Sequence, residues 1–482
     1  MPGDAATPPG RTPRRFLRSV RGSKRTVIAA VGAAAIMLGL TVPLALSASA
    51  GTIGTASGFE DDDGNLVVDS TFDWNGFSPV TWTGTAPNQT ATTTASGWAF
   101  SGFTDAQATS SDSGYAGGVK QDVNCATIKG SKAPNKDDLK RIYLSSKTVG
   151  GHVFLNLAWM RIPQNSVNAS THVGFEFNQS KTACGGSSDG LVQRTAGDLL
   201  FVYDFEGSSS GVATLTVRKW VTSGACDISQ DSAPCWGVAQ PLTASGFAEA
   251  KVNEVSVTDT VAPGGDTLGI SEFGEAGVDL TAAGIFSPGV CTGFGQAEGV
   301  SRSSGNSGTA AMEDLVGPGP FTISNCGSLG ITKVSSKNNA PVQGATFSIK
   351  DSNGNEVPGG PFTSDANGKV CVNNLQTGSY TVTESAAPAG YAKDTSTKTA
   401  SVTTSSTCDN TNVTFTDTPL TDVTVTSSSE VSGSGGTSST ITCTPTGSTT
   451  NIGDSPKTGQ KATVTANGLL PGSYTCTVVI DP

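Results

Sequence analysis

Three stretches of this chain alternate apolar and polar residues with a period of two. "HVFLNLAWM" sets Val153, Leu155, Leu157 and Trp159 on one face. "HVGFEFNQ" turns Val173, Phe175 and Phe177 inward and His172, Glu176 and Asn178 outward. "FVYDFEG" opposes Phe201, Tyr203 and Phe205 to Asp204 and Glu206. That period belongs to a strand with one dry and one wet face, because a helix would repeat its apolar residues at three and four. Long strands of this kind predict an antiparallel sandwich or jelly roll. Composition agrees: glycine is abundant at 60, charged residues make up 14%, and no internal stretch reads as a long amphipathic helix. The chain is 482 residues long, which is room for about two to four domains.

The N-terminus reads as an export signal. Arg11, Arg14, Arg15, Arg18, Arg21, Lys24 and Arg25 precede an apolar run from Val27 to Leu46, and Ala48-Ser49-Ala50 has the small residues of a cleavage site. The expected signal peptide spans 1–50. An uncleaved anchor is the competing reading, since the run is nearly long enough to cross a bilayer, but Pro43 interrupts it. The whole chain carries a net charge of −11 although this segment is basic, so the remainder is strongly acidic. Nucleic acid is excluded as a partner, because phosphate contacts need clustered lysine and arginine.

Ten cysteines in an exported chain imply disulfides. Six precede residue 327, two lie between 327 and 420, and two follow. Cys226–Cys235, Cys371–Cys408 and Cys443–Cys476 are the expected pairs, and the connectivity of the other four stays open. A zinc site is not indicated, since no Cys-x-x-Cys occurs and His152 and His172 are the only histidines.

The expected architecture is all-β: a large N-terminal β-sandwich or jelly roll over 51–326, a prealbumin-like (Ig-like) β-sandwich over 327–420, and a small C-terminal β unit over 421–482. A weak repeat links the last two units, "LQTGSYTVT" at 375–383 and "LLPGSYTCT" at 469–477, with Tyr380 matching Tyr474. "SSSEVSGSGGTSST" reads as a long loop within the third unit.

The middle unit places ionisable groups where hydrocarbon belongs. Lys333 shares a face with Leu329 and Ile331, Glu384 with Tyr380 and Val382, and Asp417 with Val413 and Phe415. These strands are the first, a middle and the last of the unit. An isolated buried charge is costly and tends to neutralise. An amine held against a carboxyl can condense to an amide with loss of water, and a second carboxyl can shuttle the protons. Proximity alone can supply roughly 7–11 kcal/mol of such a barrier. A salt-bridged trio without a covalent bond is the alternative.

"ITKV", "PVQGATFSI", "GKVCVNNLQTGSYTVTESAAPAGY" and "VTFTDTP" appear in order over about residues 328 to 420. They resemble the SpaA or collagen-adhesin B type of prealbumin-like repeat, found in pilins and adhesins of Gram-positive bacteria, here in a secreted surface protein of actinobacterial type. The resemblance implies an isopeptide bond between Lys333 and Asp417, assisted by Glu384. It departs from the family at Asp417, where asparagine is commoner, so that water rather than ammonia would leave. The third unit lacks the trio, with Val478 where Glu384 would fall, and Cys443–Cys476 would clamp it instead.

The large unit resembles, more loosely, β-rich domains of exported bacterial proteins of unknown role, through "PNKDDLKRIYL" and "EFGEAGVDLT". "EDDDGN" offers Asp61, Asp63 and Asn65 as candidate calcium ligands, against the reading of a solvated acidic turn; it fails the EF-hand pattern because Leu66 stands at position six. Calcium is the one cofactor the chain hints at. Asp137 and Asp138, with Glu176, Asn178, Asp204 and Glu206, are candidates for a glycan or calcium site, against a merely wet sheet face. Asp204 and Glu206 are a poor hydrolase pair, because they lie on one face of one strand rather than flanking a bond. "SPKTG" at 455–459 echoes a sortase signal but is followed by a strand pattern, and reads as a loop. The expectation is a secreted or cell-surface structural or adhesive protein, not a turnover enzyme. It would meet an extracellular ligand, a glycan or a host or substratum surface, and associate with the cell envelope. A secreted lectin is the alternative, and a polysaccharide hydrolase ranks below it.

Overall fold

The computed structural model describes residues 53–481, apart from 108–111, 113, 116–121, 129–132, 165–168, 185–189, 208–210, 229–231, 288, 306–309 and 429–437. The export segment at 1–50 and the centre of the "SSSEVSGSGGTSST" stretch therefore lie outside the described residues. Among the described residues no helix is long and apolar enough to cross a membrane.

The alternating strands build two facing seven-stranded sheets. Leu139–Val149 and His152–Arg161 form the centre of one, and Thr171–Asn178 and Leu199–Phe205 the centre of the other. Every pairing within these two sheets is antiparallel. The expected inward residues meet in one core: Leu155, Leu157 and Trp159 face Val173, Phe175, Phe177, Phe201 and Tyr203. Gly274 pairs with Trp159 on the neighbouring strand. A Cβ there would sit 2.5 Å from the indole, so the ring packs against bare backbone.

The wet faces are not wet. Phe154, Ala158 and Met160 on the outer face of the first sheet, with Phe273 of the adjacent strand, are buried under Phe59, Trp74 and Phe77. On the second sheet His172, Glu176 and Asn178 are buried as well. Glu176 pairs with Arg194 at 2.6 Å, both side chains being 3% exposed, and Asn178 donates to Glu176 and Asp198. Arg194 also lies over the Trp220 and Trp236 rings. The outward polar residues are solvated by other side chains rather than by water, so strict alternation here marks a sheet covered on both sides.

The middle unit is a sandwich of two four-stranded sheets. One runs Lys369–Leu375, Gly327–Ser335, Asn412–Pro419, Tyr391–Ala392; the other runs Phe362–Thr363, Thr346–Lys350, Gly378–Ala386, Thr397–Val402. Its first and last long strands pair in parallel, Lys333 opposite Phe415 and Ser335 opposite Asp417. Parallel neighbours need a long crossover, and here the rest of the unit is that crossover. The third unit is smaller, with a core of Ile441, Cys443, Ile452, Ala462, Val464 and Ala466. Its repeat with the middle unit holds in detail: the Tyr380 and Tyr474 hydroxyls each donate to the carbonyl four residues earlier, Gln376 and Leu470. "SPKTG" is not simply a loop, because Lys457–Gly459 is an edge strand paired to Ser438–Pro445.

Candidate functional site

Parallel pairing puts the inward residues of the first and last strands side by side, and the facing sheet lowers Glu384 onto them from Gly378–Ala386. The side chains of Lys333, Glu384 and Asp417 are wholly removed from solvent. Lys333 Nζ donates to Glu384 Oε2 at 2.7 Å and also to Asp417 Oδ1. The ammonium stands 5.9 Å from the centre of the Phe415 ring, and Ile331, Phe347 and Val382 contribute to the surrounding core. Three ionisable groups thus sit among hydrocarbon side chains with no exposure to solvent, where charge interactions are strong and unpaired charge is costly.

Burial raises the Glu384 carboxyl above its ordinary value; Lys333 pulls it down and the adjacent Asp417 carboxyl raises it again. Glu384 Oε1 and Asp417 Oδ2 have no hydrogen-bond partner.

A fourth participant was not expected. The backbone N–H of Asp394 donates to Asp417 Oδ1 at 2.9 Å and to Glu384 Oε2 at 3.0 Å. The Asp394 side chain holds that amide in place by accepting from Ser396 N and Thr416 N. Strand periodicity has no means of finding it, since the group is a main-chain donor on a connecting segment. The only hint in sequence is a small acid a few residues beyond "APAGY".

The disulfides are Cys125–Cys184, Cys226–Cys235, Cys291–Cys326, Cys371–Cys408 and Cys443–Cys476. Cys371 lies on one neighbour of the first strand and Cys408 just before the other. A Cβ at Gly330 would fall 1.9 Å from the Cys408 carbonyl oxygen, so glycine is required where this bridge crosses the strand. Val478, at the position matching Glu384, is 43% exposed and lies opposite the core residue Ile441 on the paired strand.

The remaining candidates do not converge. Asp63 accepts from the main-chain and side-chain nitrogens of Asn65 in an exposed turn. Asp61 is instead buried beside Asp62 and Glu249, so Asp61, Asp63 and Asn65 do not form one ligand set. Asp137 and Asp138 are buried, and burial pushes the Asp137 carboxyl up to about 6. Asp204 is held by His172 at 3.0 Å, while Glu206 is exposed beyond the strand end. With Glu176 and Asn178 buried, the open polar platform expected of these side chains is not formed.

Residues 327–419 match the SpaA family model, a prealbumin-like fold domain, and the middle unit has that fold. Solved structures similar to the chain include the Bacillus anthracis TIE protein, at 15% identity and a TM-score of 0.23, over 70% of this chain and 50% of that one. The C-terminal domain of the shaft pilin SpaA from Lactobacillus rhamnosus GG is similar at 20% identity and a TM-score of 0.16, over 20% of this chain and 98% of that one. The group B streptococcus pilus 2b backbone protein is similar at 16% identity and a TM-score of 0.22, over 60% of this chain and 97% of that one. The chain thus spans half the length of the first of these. No curated protein matches it.

Proposed function

We propose that the middle unit forms an intramolecular isopeptide bond between Lys333 and Asp417, and that the chain serves as a structural or adhesive protein outside the cell. The observation that carries this reading is a fully buried amine held between two fully buried carboxyls. The Lys333 ammonium first passes a proton to the Asp417 carboxylate. The resulting amine attacks Asp417 Cγ, an N–C bond forms, a C–O bond breaks, and that oxygen departs as water with the proton it received and a second one lost by the attacking nitrogen. Glu384 takes the proton from the amine and delivers it to the departing oxygen, ending as it began. The Asp394 amide steadies negative charge as it develops on Asp417 Oδ1. The product is neutral, so the amide relieves the burial of charge. Each molecule reacts once, which makes this maturation rather than turnover.

A bond spanning 84 residues contributes on the order of 4–5 kcal/mol by the cross-link entropy model. Five disulfides support an oxidising, extracellular setting. The test is intact mass. The folded mature protein should be lighter than the mature sequence by one water beyond the hydrogens lost to disulfides, and Lys333→Ala and Glu384→Ala should each restore that water. An unmodified mass for the folded wild-type protein would sink the proposal.

A further inference from the structure

We propose that the large unit binds a calcium ion between the carboxylates of Asp105, Asp112 and Asp314. These residues come from three parts of the chain. Asp105 directly follows the strand Trp98–Thr104 of the first sheet, and Asp314 lies within Met312–Ser324 of the second. Asp112 lies on the segment between Asp105 and the strand Leu139–Val149. One carboxylate oxygen from each falls within 4.8 Å of the other two.

All three are buried, at 3%, 1% and 0% exposure. Asp314 is oriented by two main-chain donors, Leu139 N at 2.7 Å and Leu315 N at 3.0 Å. Ala133 N approaches Asp112 Oδ2 at 3.4 Å. Asp105 Oδ2 and Asp112 Oδ1 are buried with no hydrogen-bond partner. None of the three carboxylates has a salt bridge among the described residues. The bases on the adjacent strand are committed elsewhere, Lys140 to Asp266 and Arg141 to Asp259 and Asp266.

Three acids are brought together by tertiary structure, two of them present orphaned oxygens, and none is paired with a base among the described residues. Buried charges are paired or bind metal. The donors are all oxygen, without sulfur or imidazole, which selects a hard cation and suits the adaptable shell of calcium better than zinc or copper. An ion here would tie the two sheets together at one rim of the sandwich. This site is distinct from the acidic turn at 60–65 and owes nothing to the cross-link of the middle unit.

Protein stripped with a chelator should take up one calcium per chain in calorimetric titration at neutral pH, and saturating calcium should raise its melting temperature. Asp105→Asn and Asp112→Asn should each weaken binding at least about tenfold, whereas Glu249→Gln should leave it unchanged. A terbium-soaked crystal of the wild-type protein should show an anomalous peak between the three carboxylates, which keeps the test decisive should the variants fail to fold. The proposal is overturned if calcium neither binds nor shifts melting, as expected of three acids sharing protons. It is equally overturned if binding is lost in Glu249→Gln but kept in Asp105→Asn, or if the terbium peak lies elsewhere.

Discussion

At the scale of single residues, the middle unit works by placing polar atoms where no water competes for them. Asp394 illustrates how little chemistry a residue type need carry. Its side chain ties Ser396 and Thr416, and its amide is thereby aimed at both buried acids. Asp394→Ala should leave the unit folded but slow cross-linking, by up to about 100-fold, the lower end of the loss that outright removal of one oxyanion donor causes. Following water loss by mass spectrometry after refolding checks this, and an unchanged rate would remove Asp394 from the scheme. In the large unit, burial and the neighbouring Glu176 push the Glu298 carboxyl up to about 8, against the pull of Arg194. The folded state therefore binds the proton more tightly than the unfolded state. The contribution of Glu298 to stability is fully present below the ordinary carboxylate range and is lost as pH rises toward 8, by at most about 1.4 kcal/mol per pH unit. Melting temperature recorded from acid to mildly alkaline pH checks this: Glu298→Gln should make the fall toward pH 8 shallower than in the wild-type protein.

At the scale of elements, the central strands of each sheet in the large unit are buried on both faces, and their outward polar residues are held by partners. Arg194 is the clearest case, closing over Glu176, Trp220 and Trp236. Arg194→Ala should destabilise the unit by about 3–5 kcal/mol, because it leaves a buried carboxylate without its counter-charge. Adding Glu176→Gln should recover part of the loss, and calorimetric melting of the single and double variants measures the coupling. The alternation in "HVGFEFNQ" told inward from outward correctly, but not wet from dry. A sequence pattern records polarity and cannot say whether a polar atom is met by water or by a guanidinium brought from elsewhere. The third unit, with a small core and a disulfide joining paired strands, holds by a different covalent tie from the one proposed for its neighbour.

At the scale of the molecule, the parallel pairing of Gly327–Ser335 with Asn412–Pro419 sets the path of tension. The chain enters the middle unit at one end of this pair and leaves at the opposite end. With Lys333 joined to Asp417, a pull on the ends bypasses residues 334–416. In single-molecule stretching the wild-type unit should release almost no length, while Lys333→Ala should release most of its contour. Equal extensions for the two proteins would argue against a tensile role.

Residues close in sequence determined much of this protein. The period of two specifies strands and assigns their inner faces, cysteine spacing and parity suggest local pairs such as Cys226–Cys235, and apolar neighbours mark Lys333, Glu384 and Asp417 as inward. Each is a property of consecutive residues, which backbone geometry converts directly into direction. Tertiary structure alone decided what those inward and outward groups meet: Asp394 N–H over the trio, Arg194 over Glu176, Glu249 rather than Asn65 beside Asp61, and Asp314 beside Asp105. Such encounters join segments far apart in the chain, and no local pattern encodes which distant atom will occupy the space beside a given side chain.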